Sequence, residues 1–294
     1  PLGKTDLQVS ALGWGMWRFA GRDVAAARAL VDAAFEAGIN FFDTADIYGF
    51  DGSAGFGDAE ALLGKVFAED RALRGRMILA SKAGITPPVP YNSSTDYLIR
   101  ACEASLRRLQ TDTLDLWQIH RPDLLSHPSE IAQAFDKLKQ SGKVRAFGVS
   151  NYTPAQTRAL QAHLDEPLAT YQPEFSPLAL DALTDGTLDL ALETGASVLA
   201  WSPLGGGRLA APDADPTGRA QAVAAALDAV AGEHNVSRTS IAYAWVLAHP
   251  ARPMPLVGTQ NVARILETKD VATIQMTRTQ WYQILVAARG APMP

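Results

Sequence analysis

The chain has 294 residues, 47% hydrophobic and 19% charged, with a net charge of −5 and one cysteine, Cys102. A chain this long buries a core large enough to fold without disulfides or a structural metal, and a lone cysteine forbids an intramolecular disulfide, which fits a reducing compartment. An acidic balance with no basic run argues against nucleic acid, and no apolar run reaches the roughly 18 residues of a membrane span.

The opening PLGKTDLQVS lacks the charged-then-apolar plan of a secretory leader. A cytoplasmic location is expected, and a first residue of Pro rather than Met points to residues removed upstream. The first apolar run, SALGWGMW at 10–17, precedes a stretch at 25–37 whose Leu30, Val31, Ala34 and Phe35 share one helix face, with Gly38 as its stop. INFFDTA (39–45) leads to a helical stretch at 59–67, and MILASKAG (77–84) to one at 97–109. LDLWQIH (114–120) leads to 131–138, stopped by Gly142, and VRAFGVSN (144–151) to 155–164. Thr153, Pro154 and Gln156 supply that last helix with a cap, a first-turn proline and a capping-box partner. ATYQPEF (169–175), SVLAWSPL (197–204) and MPLVGTQ (254–260) complete eight runs. Between the last two, a segment at 205–218 rich in Gly, Pro, Asp and Ala is followed by helical stretches at 220–233 and 238–248. Thr277 and Gln280 form another capping box, opening a C-terminal helix that reaches Ala288.

Near-continuous apolar strands alternating with helices predict a parallel sheet buried on both faces. Eight repeats in this length predict a (β/α)8 TIM barrel, one domain over 1–294, with extra helices after the seventh strand and at the C-terminus. A doubly wound open sheet would be expected to carry a GxGxxG turn for its dinucleotide, and none is present.

A barrel keeps its chemistry at the C-terminal ends of its strands. In order those ends are Trp17, Asp43 with Tyr48, Lys82, His120, Ser150 with Asn151, Gln172, Trp201 with Ser202, and Gly258 with Thr259. His120 alternates with Leu116 and Gln118, so the three share a strand face. An Asp, a Tyr, a Lys and a His on one rim suit proton transfer. Lys82, held ionised by Asp43, is expected to lower the pKa of Tyr48. Tyr48 then acts as general acid toward a carbonyl oxygen to which His120 donates a hydrogen bond. No side chain supplies a hydride, so a nicotinamide cofactor is required. Ser150, Asn151 and Gln172 suit a carboxamide, Trp201 an aromatic ring, and the backbone of 202–207 a pyrophosphate, with GGGR (205–208) and GTQN (258–261) where barrel phosphates commonly sit.

From LGWGMW through DTADIYG, ILASKAG, LDLWQIHRPD, GKVRAFGVSN, AWSPLGGGRL and VGTQNVARILE, the chain resembles the aldo-keto reductase family over nearly its whole length. The resemblance implies a monomer or weak homo-oligomer that reduces aldehydes or ketones with NADPH, NADH being the second choice. It implies the tetrad Asp43, Tyr48, Lys82 and His120, and a substrate pocket at Trp17, Tyr48 and His120. Cofactor contacts are implied at Met16, Trp17, Ser150, Asn151, Gln172, Trp201, Ser202, Leu204, Gly205, Gly207, Arg208, Val257, Gly258, Thr259, Gln260, Arg264 and Glu267. Arg264 matches the arginine that meets the adenosine 2′-phosphate, and Glu267 lies near the adenine. Many members carry Lys where this chain has Gly258, and many have Asn at Thr268, so the preference for NADP rests on Arg264 and Thr259.

Two other classes compete. A barrel lyase would use Lys82 as a Schiff-base nucleophile, but an Asp43 partner keeps that amine protonated. A dinucleotide-binding regulator would turn over little. His120 and His127 lack the spacing and the companions of a metal site, and His127 reads as an exposed loop residue. Cys102 has no assigned role. Trp14 and Trp17 are both candidates to line the mouth. The loops at 86–91 and 121–128 and the segment 289–294 are expected to set specificity.

Overall fold

The computed structural model describes residues 1–214 and 217–294; residues 215 and 216, in the Gly/Pro-rich segment at 205–218, lie outside the described residues. Eight parallel strands close into a barrel: β1 (Gly13–Gly15), β2 (Phe41–Asp43), β3 (Ile78–Ala83), β6 (Leu114–Ile119), β7 (Val144–Ser150), β8 (Thr170–Gln172), β9 (Ser197–Ala200) and β10 (Met254–Val257), with β1 pairing β10 to complete the ring. Helices α1 (Val24–Glu36), α2 (Asp58–Glu69), α3 (Thr95–Leu109), α4 (Pro128–Gln140), α5 (Pro154–Gln161) and α6 (Thr187–Thr194) carry the chain back between successive strands. Beyond β9 come α7 (Arg219–His234) and α8 (Arg238–Leu247), then α9 (Val262–Leu266) after β10 and a closing α10 (Arg278–Arg289). The barrel with its extra helices is the expected architecture.

The helix starts follow the sequence signals. The Thr153 side chain accepts from Gln156 N–H while Gln156 reaches back to the cap, and Thr277 with Gln280 does the same. His127 is the exposed residue expected just before α4, and it caps that helix in a box with Glu130. The loop expected at 86–91 folds instead into an antiparallel hairpin of β4 (Ile85–Thr86) and β5 (Val89–Tyr91).

Strand alternation splits the core in two. Phe41, Ala80, Leu116, Ala146, Leu199 and Leu256 point into the barrel and form a small inner cluster, closed from below by Leu2 and Leu7. Their neighbours, such as Phe42, Leu79, Trp117, Val149 and Val257, point outward and join the larger cluster beneath the helices. One further step of two along each inward face replaces carbon with polar atoms. Phe41 gives way to Asp43, Ala80 to Lys82, Leu116 to Gln118 and then His120, and Ala146 to Gly148 and then Ser150. Gly148 is required there, because a Cβ would run into Thr170 Oγ1 on the adjacent strand. The site is therefore the polar upper layer of an otherwise apolar barrel.

Candidate active site

Lys82 is fully buried, and each of its ammonium protons has an acceptor: Asp43 Oδ2 at 2.7 Å, the Thr44 carbonyl at 2.8 Å and the Tyr48 hydroxyl at 3.1 Å. Three donors meeting three acceptors is what makes a buried ammonium tolerable. Burial pushes the amine's pKa down, but Asp43 and Tyr48 outweigh it and hold the pKa above the usual value. A protonated Lys82 is a poor Schiff-base nucleophile, which removes the physical basis of the lyase reading.

The other oxygen of Asp43 accepts from Gln172 Nε2 at 3.1 Å and Gln118 Nε2 at 3.4 Å, while Gln118 Oε1 accepts from Thr170 at 2.9 Å. Gln118 was legible as a face-mate of His120, but not as a support of Asp43, because that role needs the register that places β6 beside β3. Tyr48 reaches the layer from the loop after β2. Its ring lies edge-on to Trp17 at 5.4 Å and to His120 at 5.8 Å.

The expected direction of the Tyr48 pKa is reversed. Lys82 does pull it down, but burial is the larger effect and leaves the phenol above its ordinary value. Tyr48 thus stays a neutral O–H, a donor rather than a phenolate. His120 is pushed well below its usual pKa by burial and by the nearby cations Lys82 and Arg121, so its imidazole is neutral at pH 7. Its Nδ1 is buried without a partner.

A cleft of about 820 Å³ opens above this layer. Trp17, Asp43, Tyr48, His120, Ser150, Asn151, Gln172, Trp201, Ser202, Leu204, Gly207, Gly258, Thr259, Gln260, Arg264 and Glu267 line it, as do Arg18, Arg22 and Arg121, which no strand-end pattern pointed to. Met16 and Val257 do not reach it. Both are fully buried, Val257 because it alternates with the inward Leu256 and Gly258. Gly205 is also buried, a Cβ there colliding with Leu178, and Arg208 turns back to donate to the Gly205 carbonyl at 2.9 Å. Trp14 is core, edge-on to Phe19 and Phe42, whereas Trp17 is 64% exposed at the mouth.

The far half of the cleft suits a long, phosphate-bearing ligand. Ser202 and Gly205, Gly206 and Gly207 have positive φ, and nothing stands within 4 Å of where a Cβ would sit at Gly206, Gly207 or Gly258, so backbone is open to close approach. Asn151 bridges the near half. Its amide donates to the His120 carbonyl at 3.2 Å and to Ser150 Oγ at 2.8 Å, and its oxygen accepts from Trp201 Nε1 at 3.0 Å. Gln260 Oε1 is buried without a partner. Arg264 is exposed on α9, whose start is capped by Asn261. Cys102 lies buried on α3, its thiol pushed up to about 12 by burial. Among the described residues no group of three or more metal-ligating side chains exists, and no helix is long and apolar enough to cross a membrane.

The model of the "Aldo/keto reductase family" matches residues 11–287. A "6-dehydroglucose reductase" of Novosphingobium aromaticivorans is 57% identical over 295 residues, covering 100% of this chain and 96% of that protein. A second "6-dehydroglucose reductase", from Agrobacterium fabrum, is 38% identical across 97% of this chain and 96% of its own length, and "Oxidoreductase YdhF" of Escherichia coli is 39% identical across 95% and 94%. Among solved structures, a thermostable aldo-keto reductase, Tm1743, determined with the inhibitor epalrestat, superposes with a TM-score of 0.84 at 25% identity, covering 98% of each chain.

Proposed function

The chain belongs to the aldo/keto reductase family, and from that premise we propose that it reduces the aldehyde of a sugar-like substrate with NADPH, Tyr48 delivering the proton. An oxidoreductase of this family uses a nicotinamide cofactor on small carbonyl compounds. The finer reading rests above all on one observation: Lys82, fully buried, spends its three protons on Asp43, Thr44 and Tyr48.

When bound, the nicotinamide supplies a hydride to the carbonyl carbon. The protein's own residues do the rest. Tyr48, neutral and fixed by Lys82, gives up its proton as negative charge develops on the substrate oxygen. Lys82 then faces the phenolate, and the Asp43–Lys82 pair stabilises it without reorganisation. Neutral His120 donates a hydrogen bond to the same oxygen and sets its angle. Ser150, Asn151 and Gln172 would hold the carboxamide, Trp201 would offer its ring, the backbone of 202–207 would meet the pyrophosphate, and Arg264 would pair with a 2′-phosphate. The reaction runs within one domain of 1–294, as a monomer or weak homo-oligomer in the cytoplasm. Two relatives named for 6-dehydroglucose, a glucose with an aldehyde at C6, support an aldehydo-sugar as substrate.

The test has two parts. Titration with NADPH and NADH, followed by quenching of tryptophan fluorescence, is expected to saturate with tighter binding of NADPH. Tyr48→Phe is expected to lose roughly 10²–10⁴-fold in kcat toward 6-dehydroglucose while its NADPH titration is unchanged. Failure of both nucleotides to bind, or wild-type turnover by the Phe variant, would overturn the reading.

A further inference from the structure

Outside the tetrad, the described side chains lining the substrate half of the cleft carry one sign of charge. Arg18, Arg22 and Arg121 line it, and the carboxylate there, Asp43, is already spent on Lys82. A second hollow of about 580 Å³ adjoins it, with Trp17, Arg18, His120 and Arg121 common to both. Its acid, Asp58, is exposed. Arg22 is occupied, donating to the carbonyls of Arg18 and Ala20 at 3.1 and 3.4 Å, which steadies the loop that carries Arg18. Among the described residues, no carboxylate lies within ion-pair distance of the guanidinium of Arg18 or Arg121. Arg121 instead lies over the Trp201 ring at 5.7 Å, with Glu174 near enough to feel its field but not to pair with it. Arg121 follows His120 in the chain, and Arg18 follows Trp17, whose ring packs on Tyr48. Both arginines line the mouth shared by the two hollows, together with Trp17 and His120, and the charge of Arg121 reaches Tyr48 and His120.

On the reductase reading the cofactor would not need the two arginines, since its phosphates would be held by the loop at 202–207 and by Arg264. Resting on that reading and extending it beyond the neutral 6-dehydroglucose, we propose that Arg18 and Arg121 make the cleft prefer aldehydes that also bear an anionic group, a carboxylate or phosphate a few bonds from the reacting carbonyl. Arg121 is half-buried and Arg18 exposed. A half-buried guanidinium without an acid is costly, and an anion offsets that cost at Arg121 with charge-assisted, fork-shaped hydrogen bonds, to which Arg18 adds a second fork at the rim. The anion is a spectator: the carbonyl becomes an alcohol as before, and no bond to the charged group changes.

Matched pairs of aldehydes test this: D-glyceraldehyde against its 3-phosphate, and propanal against succinic semialdehyde. With NADPH at low salt, the charged member of each pair is expected to show a kcat/KM higher by roughly tenfold or more. The advantage is expected to shrink with added salt, and the charged-to-neutral ratio to collapse toward one in Arg18→Gln and Arg121→Gln. Equal or better turnover of the neutral members overturns the proposal, as does a ratio that survives both substitutions. Should Arg121→Gln fail to fold, an advantage indifferent to both salt and Arg18→Gln overturns it equally. Good turnover of neutral aldehydes without a charge preference defeats this inference alone, whereas turnover of no aldehyde defeats the reductase reading with it.

Discussion

Asp46 stands between Asp43 and Tyr48 in the DTADIYG stretch, buried, with its N–H bonded to the Lys82 carbonyl at 3.0 Å and its Oδ1 without a partner. Burial first, and the carboxylate of Glu60 second, raise its pKa well above the ordinary value. A carboxyl whose folded pKa is raised keeps a proton that the unfolded chain releases above about 3.9. Its contribution to stability is therefore present at low pH and lost as pH climbs toward the folded value. Asp46→Asn abolishes this titration. Urea unfolding is expected to find the variant more stable than the parent by about 1–2 kcal/mol at pH 8, with the gap closing toward pH 4. A parent equally stable at pH 8 would refute the assignment. The site's chemistry was legible at this scale where a polar residue ended an apolar run, as at Asp43, Lys82 and His120. The direction of the Tyr48 pKa was not, because burial is a property of the closed barrel and the sequence shows only the neighbouring charge. Arg18 is not legible because a loop, not strand periodicity, brings it to the cleft, and Arg121 is legible only as the first residue of the 121–128 loop expected to set specificity.

Between elements, β3 is tied to its neighbours through α2 and α3. Glu60 on α2 accepts from Ser81 on β3 at 2.5 Å and from Arg108 Nε on α3 at 2.8 Å, so the strand that carries Lys82 is anchored from behind. One turn along α2 from Glu60, Gly64 faces the Arg108 carbonyl, and a Cβ there would run into that oxygen. Helix propensity alone favours alanine over glycine by about 1 kcal/mol. The collision decides otherwise: spreading two packed helices costs about 1–3 kcal/mol. Gly64→Ala is expected to lower the thermal midpoint by several degrees, and an unchanged or raised midpoint would show that the helices part freely. The long elements were readable because each carries many apolar positions at one period. The hairpin of β4 and β5, and α9 at five residues, were not, since two or three residues define no period. Helix α6 is equally hard to read at eight residues, although Leu188, Leu190 and Ala191 bury its inner face.

Across the whole molecule, a dinucleotide laid along the cleft would join the upper ends of β7, β8, β9 and β10 to α9, which are far apart in sequence, so its binding energy becomes folding energy. The barrel that brings these ends together was legible from eight alternating repeats, but how strongly each cofactor holds it depends on charges that only the closed ring juxtaposes. Gly258, at the end of β10, is exposed, and a Cβ there meets nothing within 4 Å, so a longer side chain fits without strain. Gly258→Lys adds a cation on the side where Arg264 stands, in a chain whose net charge of −5 otherwise repels phosphate. A charge-assisted contact with a 2′-phosphate is worth about 1.4 kcal/mol if it tightens NADPH binding tenfold, and at saturating ligand the same amount is added to stability. Thermal unfolding at fixed excess of each nucleotide is expected to show a larger shift for the variant with NADPH and none with NADH. An equal gain for both would mean that the new cation reads the pyrophosphate they share, and the placing of the 2′-phosphate beside Arg264 would then be wrong.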